Sequence, residues 1–543
     1  MTRNFICSFC LIIASSLSAF SSPPETKKPK LVVGIVVDQM RYDYITRYWD
    51  KFGEGGFKKL VSEGYNCSNT HYNYVPTKTA PGHASIYTGT TPAVHGIVEN
   101  YWYNKKAGKV IYVAEDSTVN GIGTTSWAGR MSPVNLISTT FTDELRMASN
   151  LKSKVIGIAL KDRSSIMPSG HIANAAYWFE ISTGNWISSS WYRSALPDWV
   201  TNFNNRKLPA EYLKKPWTTL LPIEQYTEST SDDNPYEDIY AGETKPVFPH
   251  DFPSLGPNNY DLVRHSPYGN QLTKEFALAA MKAEELGKDD FTDILAISFS
   301  STDEVGHQFG THSIETEDTY LRLDIELAEM ITAIENYAGK GNVLFFLTAD
   351  HGASPSVKYL FDHKIPSGIL NVAGIRDSLR NHLNLKFGDQ KWVRILDNDQ
   401  VYLDHDLLAK NKIDLNEMTA EVCRFLMQFK GIASVLTAEE LRVNDFTNGI
   451  KSLVQNGFNQ QRGGDVVMIL EPGYIEYKTK GSDHGAGYSY DTHVPLLFYG
   501  WNITKGNCYR HINITDIAPT ISQMLGIQSP SGFTGKVITE IMK

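Results

Sequence analysis

The chain has 543 residues, of which 41% are hydrophobic and 20% charged, enough for a large buried core and too many for one simple domain. Its 51 Lys and Arg against 60 Asp and Glu give a formal net charge of -9, which excludes the basic stripe of a nucleic-acid binder and obliges any anion site to carry its own positive charge. With 5 Cys in this length the fold is not a disulfide scaffold.

Residues 1–20, "MTRNFICSFCLIIASSLSAF", read as a secretory signal: basic at Arg3, apolar from Phe5 to Ile13, small around Ser16–Ala19. Cys7 and Cys10 leave with it, and Cys67, Cys423 and Cys508 allow at most one disulfide. Cys10 lacks the small residues that precede a lipid-attachment cysteine, and no later stretch reaches the roughly 18–20 apolar residues of a spanning helix. A periplasmic or secreted protein without a membrane anchor is expected.

Next comes "KLVVGIVVD" (30–38), a continuous apolar run that reads as a buried parallel strand delivering Asp38 at its tip. In "PTKTAPGHASIYTGTTPAVHG" (76–96), Pro81 opens a helix and Gly82 permits a close backbone approach, so Thr79 stands at the mouth of a helix-start anion site. "KVIGIALKDR" (154–163) ends in Lys161 and Arg163, which share a face if the strand runs through them. "DILAISFSSTDEVGH" (293–307) leads into Asp303 and His307, which a turn or helix points the same way. "NVLFFLTADHG" (342–352) ends at Asp350 and His351, and "GSDHGAGYSYDTHVPLLFYG" presents His484 among glycines ahead of another core strand.

Helical patterns lie at about 81–88, 134–149, 270–286, 313–337 and 514–525. The alternation predicts an α/β fold, a mostly parallel sheet flanked by helices on both faces, with ligands beyond the carboxyl ends of the strands. Two stretches interrupt it: an irregular insertion at 178–265 and an α+β subdomain at 361–480, both expected to cap the site. The core is then made of 28–177, 266–360 and 481–543. Trp178, Trp186 and Trp191 read as the core of the first insertion rather than the lining of an opening.

Asp38, Asp303, His307, Asp350, His351 and His484 thus come from separate strand ends with little bulk between them. Three imidazoles among carboxylates favour zinc over magnesium, and the number of ligands favours two ions over one.

Taken with "TKTAPGH", these motifs make the chain resemble the alkaline phosphatase superfamily over nearly all of its length outside the insertions, and most closely its secreted, phosphate-irrepressible bacterial branch with a threonine nucleophile. The resemblance implies two Zn2+, about 4 Å apart as two-metal sites generally are. Asp303, His307 and His484 match the ligands of one, and Asp38, Asp350 and His351 those of the other, with Thr79 bridging towards the second. Asn100, in "GIVEN", matches an asparagine that donates to a phosphoryl oxygen. Lys161 and Arg163 match the cations that hold the non-bridging oxygens of a monoester. Thr79 stands where many members carry serine, and the Cys/Ser-x-Pro-x-Arg motif of sulfatases is absent. The expected activity is broad-specificity hydrolysis of small phosphate monoesters through a phosphothreonine, by a monomer with no nucleic acid polymer as partner. The alternative is a nucleotide pyrophosphatase or phosphodiesterase, which shares the metals and the threonine.

Overall fold

The computed structural model describes residues 28–543 apart from 257 and 477, so the expected signal segment lies outside the described residues. Ten strands form the central sheet: β1 (Leu31–Val37), β2 (Tyr65–Cys67), β3 (Gly121–Ile122), β4 (Val155–Ala159), β5 (Ala175–Glu180), β6 (Asn185–Ser189), β7 (Asp293–Phe299), β8 (Val343–Thr348), β9 (Leu496–Gly500) and β10 (Gly506–Cys508). Their order is β10-β2-β9-β8-β1-β7-β4-β5-β6-β3. The five strands from β8 to β5 run parallel, while β9 joins β8 and β6 joins β5 antiparallel.

The apolar runs explain this layout. Every residue of β1, β7 and β8 is buried, as a strand covered on both faces requires, and each fully buried Val, Ile or Leu contributes about 1.5–3 kcal/mol. Six helices matter for the site: α1 (Thr79–Thr88), α2 (Asp162–Ser169), α3 (Tyr268–Ala283), α4 (Ser301–Phe309), α5 (Ile314–Ala338) and α6 (Ile517–Leu525). α1 packs against α2 and α6, and α5 against α3 and α4. Among the described residues no helix is long and apolar enough to cross a membrane.

Three expectations need correction. The helix expected over 134–149 spans only Phe141–Ala148, because Thr140 caps it through a reciprocal bond with Asp143. The strand entering at 154 stops at Ala159, and α2 begins at Asp162; Lys161 is therefore a helix cap and Arg163 a first-turn residue, rather than neighbours on one strand face. The boundary at 178 falls inside β5, whose hairpin with β6 extends the central sheet. Trp178 and Trp186 are buried there, and Trp186 stacks on Phe276 at 4.2 Å, whereas Trp191 is 37% exposed. Polar residues in β6 hide this hairpin from a hydrophobicity reading.

Beyond it, short helices such as Asp198–Asn205 and Phe252–Leu255 interrupt irregular chain up to 265. Within 361–480 a four-stranded sheet runs Val393–Asp397, Gln400–Leu403, Val466–Leu470, Ile432–Thr437, covered by helices Val372–Phe387 and Leu415–Leu426. It has its own core, including Leu379, Leu383, Met418, Val422 and Val466.

Candidate functional site

The acids and imidazoles meet beyond the carboxyl ends of the parallel strands. Asp38 follows β1 directly, and Asp350 and His351 follow β8 two and three residues on. α4 starts just after β7 and carries Asp303 and His307 one turn apart, with His307 Nε2 3.2 Å from Asp303 Oδ1. His484 arrives on a loop, its Nε2 3.6 Å from the same oxygen. His351 Nε2 lies 3.5 Å from both Asp38 Oδ1 and Asp350 Oδ2.

Two compact sets of ligand atoms result: Asp303, His307 and His484, and Asp38, Asp303 and His351. Asp303 thus joins both, where the resemblance assigns it to one ion only. Asp350 stays beside the second set, its Oδ1 tied to the Gln39 N–H at 3.1 Å.

The donor set fits cations on chemical grounds. Each histidine donates from Nδ1 to a backbone carbonyl: His307 to Ser482 at 2.8 Å, His351 to Gly352 at 3.0 Å and His484 to Thr77 at 2.7 Å. That fixes the tautomer of each neutral ring, so that Nε2 is the nitrogen turned to the carboxylates and available to a cation. Asp38 Oδ1 and Asp350 Oδ2 are buried without any hydrogen-bond partner, a cost that a bound cation removes.

Protonation follows the same crowding. Burial and the neighbouring Asp303 push Asp38 up to about 6, and burial with Asp38 pushes Asp350 well above the carboxylate range. Burial also raises Asp303, but His307 and Lys161 outweigh it and hold that carboxyl well below its usual range. Burial alone would depress His307, yet Asp303 lifts it to about 9. Burial drives His351 down to about 3, and burial, His351 and Lys78 keep His484 well below its ordinary value. Two neutral imidazoles, a His307 imidazolium whose proton a bound cation would displace, and crowded acids make a trap for divalent ions.

Thr79 is the first residue of α1 and 1% exposed, with Oγ1 3.4 Å from His351 Nε2. Gly82 supplies the close approach: a Cβ there would stand 2.2 Å from the Asp350 carbonyl oxygen, so α1 presses on the chain that bears the ligand. Pro81 is the third helical residue rather than the first, still in the turn where a missing N–H costs nothing. His83 is structural, bonded at 2.9 Å to the Thr79 carbonyl and at 2.9 Å to Ser298 Oγ.

The Lys161 ammonium lies between the two sets, 2.9 Å from Asp38 Oδ2 and in contact with Asp303 Oδ2, and these acids raise its pKa against burial. Arg163 donates from Nη1 to Tyr112 Oη at 3.3 Å, while its Nε is buried and unpartnered. Asn100 Oδ1 accepts the Ala80 N–H at 3.0 Å, which holds its amide beside Thr79 and leaves the NH2 group to donate. Nine of the ten expected side chains thus meet directly or through one neighbour; Arg163 instead bonds Tyr112, which in turn donates to Asp162.

Sequence reading missed two residues. Gln39 sits at φ 64, a left-handed conformation rare outside glycine. Its Nε2 donates to Asp303 Oδ1 at 2.6 Å and its Oε1 accepts from Ser482 Oγ at 2.9 Å, so it spans both ligand sets. Lys78 donates from Nζ to the His484 carbonyl at 2.7 Å and ties the Thr79 segment to the His484 loop. Their only sequence signal is adjacency to Asp38 and Thr79.

Residues 32–494 match the family described as type I phosphodiesterase / nucleotide pyrophosphatase. The chain is 45% identical to alkaline phosphatase PafA of Elizabethkingia meningoseptica, over 98% of each chain, and 44% identical to alkaline phosphatase PhoV of Synechococcus elongatus, over 96% of this chain and 94% of that one. The crystal structure of wild-type PafA superposes with a TM-score of 0.92 at 45% identity, covering 95% of this chain and 99% of that one.

Proposed function

Since this chain belongs to the type I phosphodiesterase / nucleotide pyrophosphatase family of the alkaline phosphatase superfamily, we propose that it is a broad-specificity phosphate monoester hydrolase, an alkaline phosphatase whose nucleophile is Thr79. The observation that carries this reading is a buried threonine hydroxyl 3.4 Å from His351, with the Lys161 ammonium between the two ligand sets.

Asp303, His307 and His484 would hold one Zn2+, and Asp38, Asp350 and His351 the other. Bound there, the two ions would supply Lewis-acid chemistry, making the threonine hydroxyl easier to deprotonate and the departing oxygen more stable. Thr79 Oγ attacks phosphorus in line, the bond from phosphorus to the ester oxygen breaks, and the alcohol leaves. Water then cleaves the phosphothreonine, returning Thr79 and releasing inorganic phosphate. The non-bridging oxygens of the dianion meet the Asn100 amide, Lys161 and Arg163, the last with a planar fork. Lys161 neutralises Asp38 and Asp303 in the structure; once those carboxylates serve as ligands, its charge is left for the phosphoryl oxygens.

We further assign the enzyme to the periplasm or exterior on the pattern of residues 1–20, and infer that it acts as a monomer. The test is kcat/KM for an aryl phosphate monoester and its methyl-capped diester, with metal content determined on the same sample. Lys161→Ala should lower the monoester value far more than the diester value. Equal loss on both removes Lys161 from dianion recognition, and preference for the diester in the parent enzyme favours the pyrophosphatase or phosphodiesterase reading.

A further inference from the structure

A cavity of about 190 Å³ adjoins the site, between the Thr79 segment and the 361–480 subdomain. Four of its wall residues belong to the site or directly precede its members: Lys78 before Thr79, Glu99 before Asn100, Asp483 before His484, and His484 itself. In-line attack by Thr79, which lies against His351, would send the alcohol out on the side of Asp303, His307 and His484, next to this chamber.

Its lining is unusual for a pocket beside a phosphate site. Apolar wall comes from Val75, Val98, Ile450 and Met468, and aromatic wall from Phe458, Tyr474, Tyr488 and Tyr490. Into it are set Glu99, Asp399, Glu476, Asp483 and Asp491. Lys78 is the one Lys or Arg among the lining residues, and it is committed to the His484 carbonyl at 2.7 Å and to Asp483 at 3.8 Å.

Two of the acids are buried and half-satisfied. Glu99, 4% exposed, accepts the Asn100 N–H on Oε1 at 2.9 Å, and its Oε2 has no partner. Asp491, 1% exposed, accepts the Gly485 and Ala486 N–H groups on Oδ2 at 2.9 and 2.7 Å, and its Oδ1 has none. Buried oxygens in that state call for a donor or a cation. A single metal ion does not suit: among the described residues, three acidic or imidazole ligand atoms come close enough for one only at the two strand-tip sets. Dispersed acids with aromatic walls suit a larger, softer cation, which gains from both the carboxylates and the ring faces.

We propose that this chamber takes the organic ammonium group of the leaving alcohol, so that the enzyme prefers phosphate monoesters of amino alcohols and their quaternary analogues over neutral ones. This rests on the phosphomonoesterase reading above. The ammonium takes no part in bond making; it lowers the energy of the bound ester and of the departing alcohol.

The experiment compares kcat/KM for 2-aminoethyl phosphate, 2-(trimethylammonio)ethyl phosphate and 2-hydroxyethyl phosphate at one ionic strength. The parent enzyme should favour both cationic esters by about tenfold or more. Glu99→Gln and Asp399→Asn should each reduce that ratio by about threefold or more, and tetramethylammonium chloride should compete with the cationic esters where equal sodium chloride does not. A parent ratio near or below one overturns the inference without any variant, as does a ratio that neither substitution moves. Turnover of 2-hydroxyethyl phosphate with no preference removes the chamber's role alone, whereas no turnover of any of the three removes the phosphomonoesterase reading and this inference with it.

Discussion

The two ligand sets share a carboxylate yet differ in character. One is rich in imidazole and open: His307 and His484 surround Asp303, and the His307 side chain is 25% exposed. The other is rich in carboxylate and closed: Asp38 and His351, both at 0% exposure, join Asp303, with Asp350, also at 0%, and Thr79 against them. A closed, acid-rich pocket holds an ion firmly beside a nucleophile, while a more open, imidazole-rich one leaves room for an oxygen to arrive and depart. Under the proposed mechanism, this difference in burial and charge would divide the labour between nucleophile and leaving group.

The largest expected effect breaks the closed side. Thr79→Ala should lower kcat by about a thousandfold or more, with KM little changed, because it removes a group used only in bond making. Measured phosphate release within threefold of the parent would mean another nucleophile.

Next in size is the contrast between ligands. Asp38→Asn should cost the protein its firmly held ion and lower activity at every zinc concentration, whereas His307→Gln should be partly rescued by excess zinc. Metal content after graded chelation reads this directly: the ion on the open side should leave first. Simultaneous loss of both would show that the sets are not independent.

Gln39→Leu comes third. Its side-chain amide joins Asp303, which belongs to both sets, to Ser482, while the backbone N–H bond to Asp350 survives the substitution; loss of the amide should weaken zinc affinity by about 10–100-fold. A change confined to kcat, with zinc affinity intact, would deny it that role.

The smallest effect lies outside both sets and serves as a control. His250 is buried and burial disfavours its charge, but hydrogen bonds to Glu243 at 2.9 Å and Glu315 at 3.2 Å raise it to about 9. The folded state therefore holds the proton more tightly than the unfolded chain. This stabilisation is fully present below the ordinary histidine value of about 6.5 and is lost as pH rises through about 9. In zinc-loaded protein, Tm should fall by a few degrees across that window, and His250→Gln should flatten the slope; an unchanged slope would place the proton elsewhere.

How much of this was legible in sequence depended on where the signal sat. Apolar runs leading into Asp38, Asp303 and Asp350 announced buried strands and their tips. The β5–β6 hairpin was not legible, since Ser188 and Ser189 are buried but polar and break the hydrophobic pattern. Nor was the turn at Lys161, where a cap and a continuing strand read alike until the helix after it is seen. Gln39 and the acidic chamber depend on contacts across hundreds of residues, such as Gln39 with Ser482, which no local pattern carries.

The central claim, that this fold makes the Thr79 hydroxyl reactive between two ion-holding sets, is tested most directly by trapping the enzyme with 32P-labelled monoester and mapping the label, with zinc counted on the same sample. The account predicts label on the peptide bearing Thr79 and two zinc ions per chain. Continued turnover with no label on Thr79 under trapping conditions, or full activity in protein free of transition metal, would contradict it.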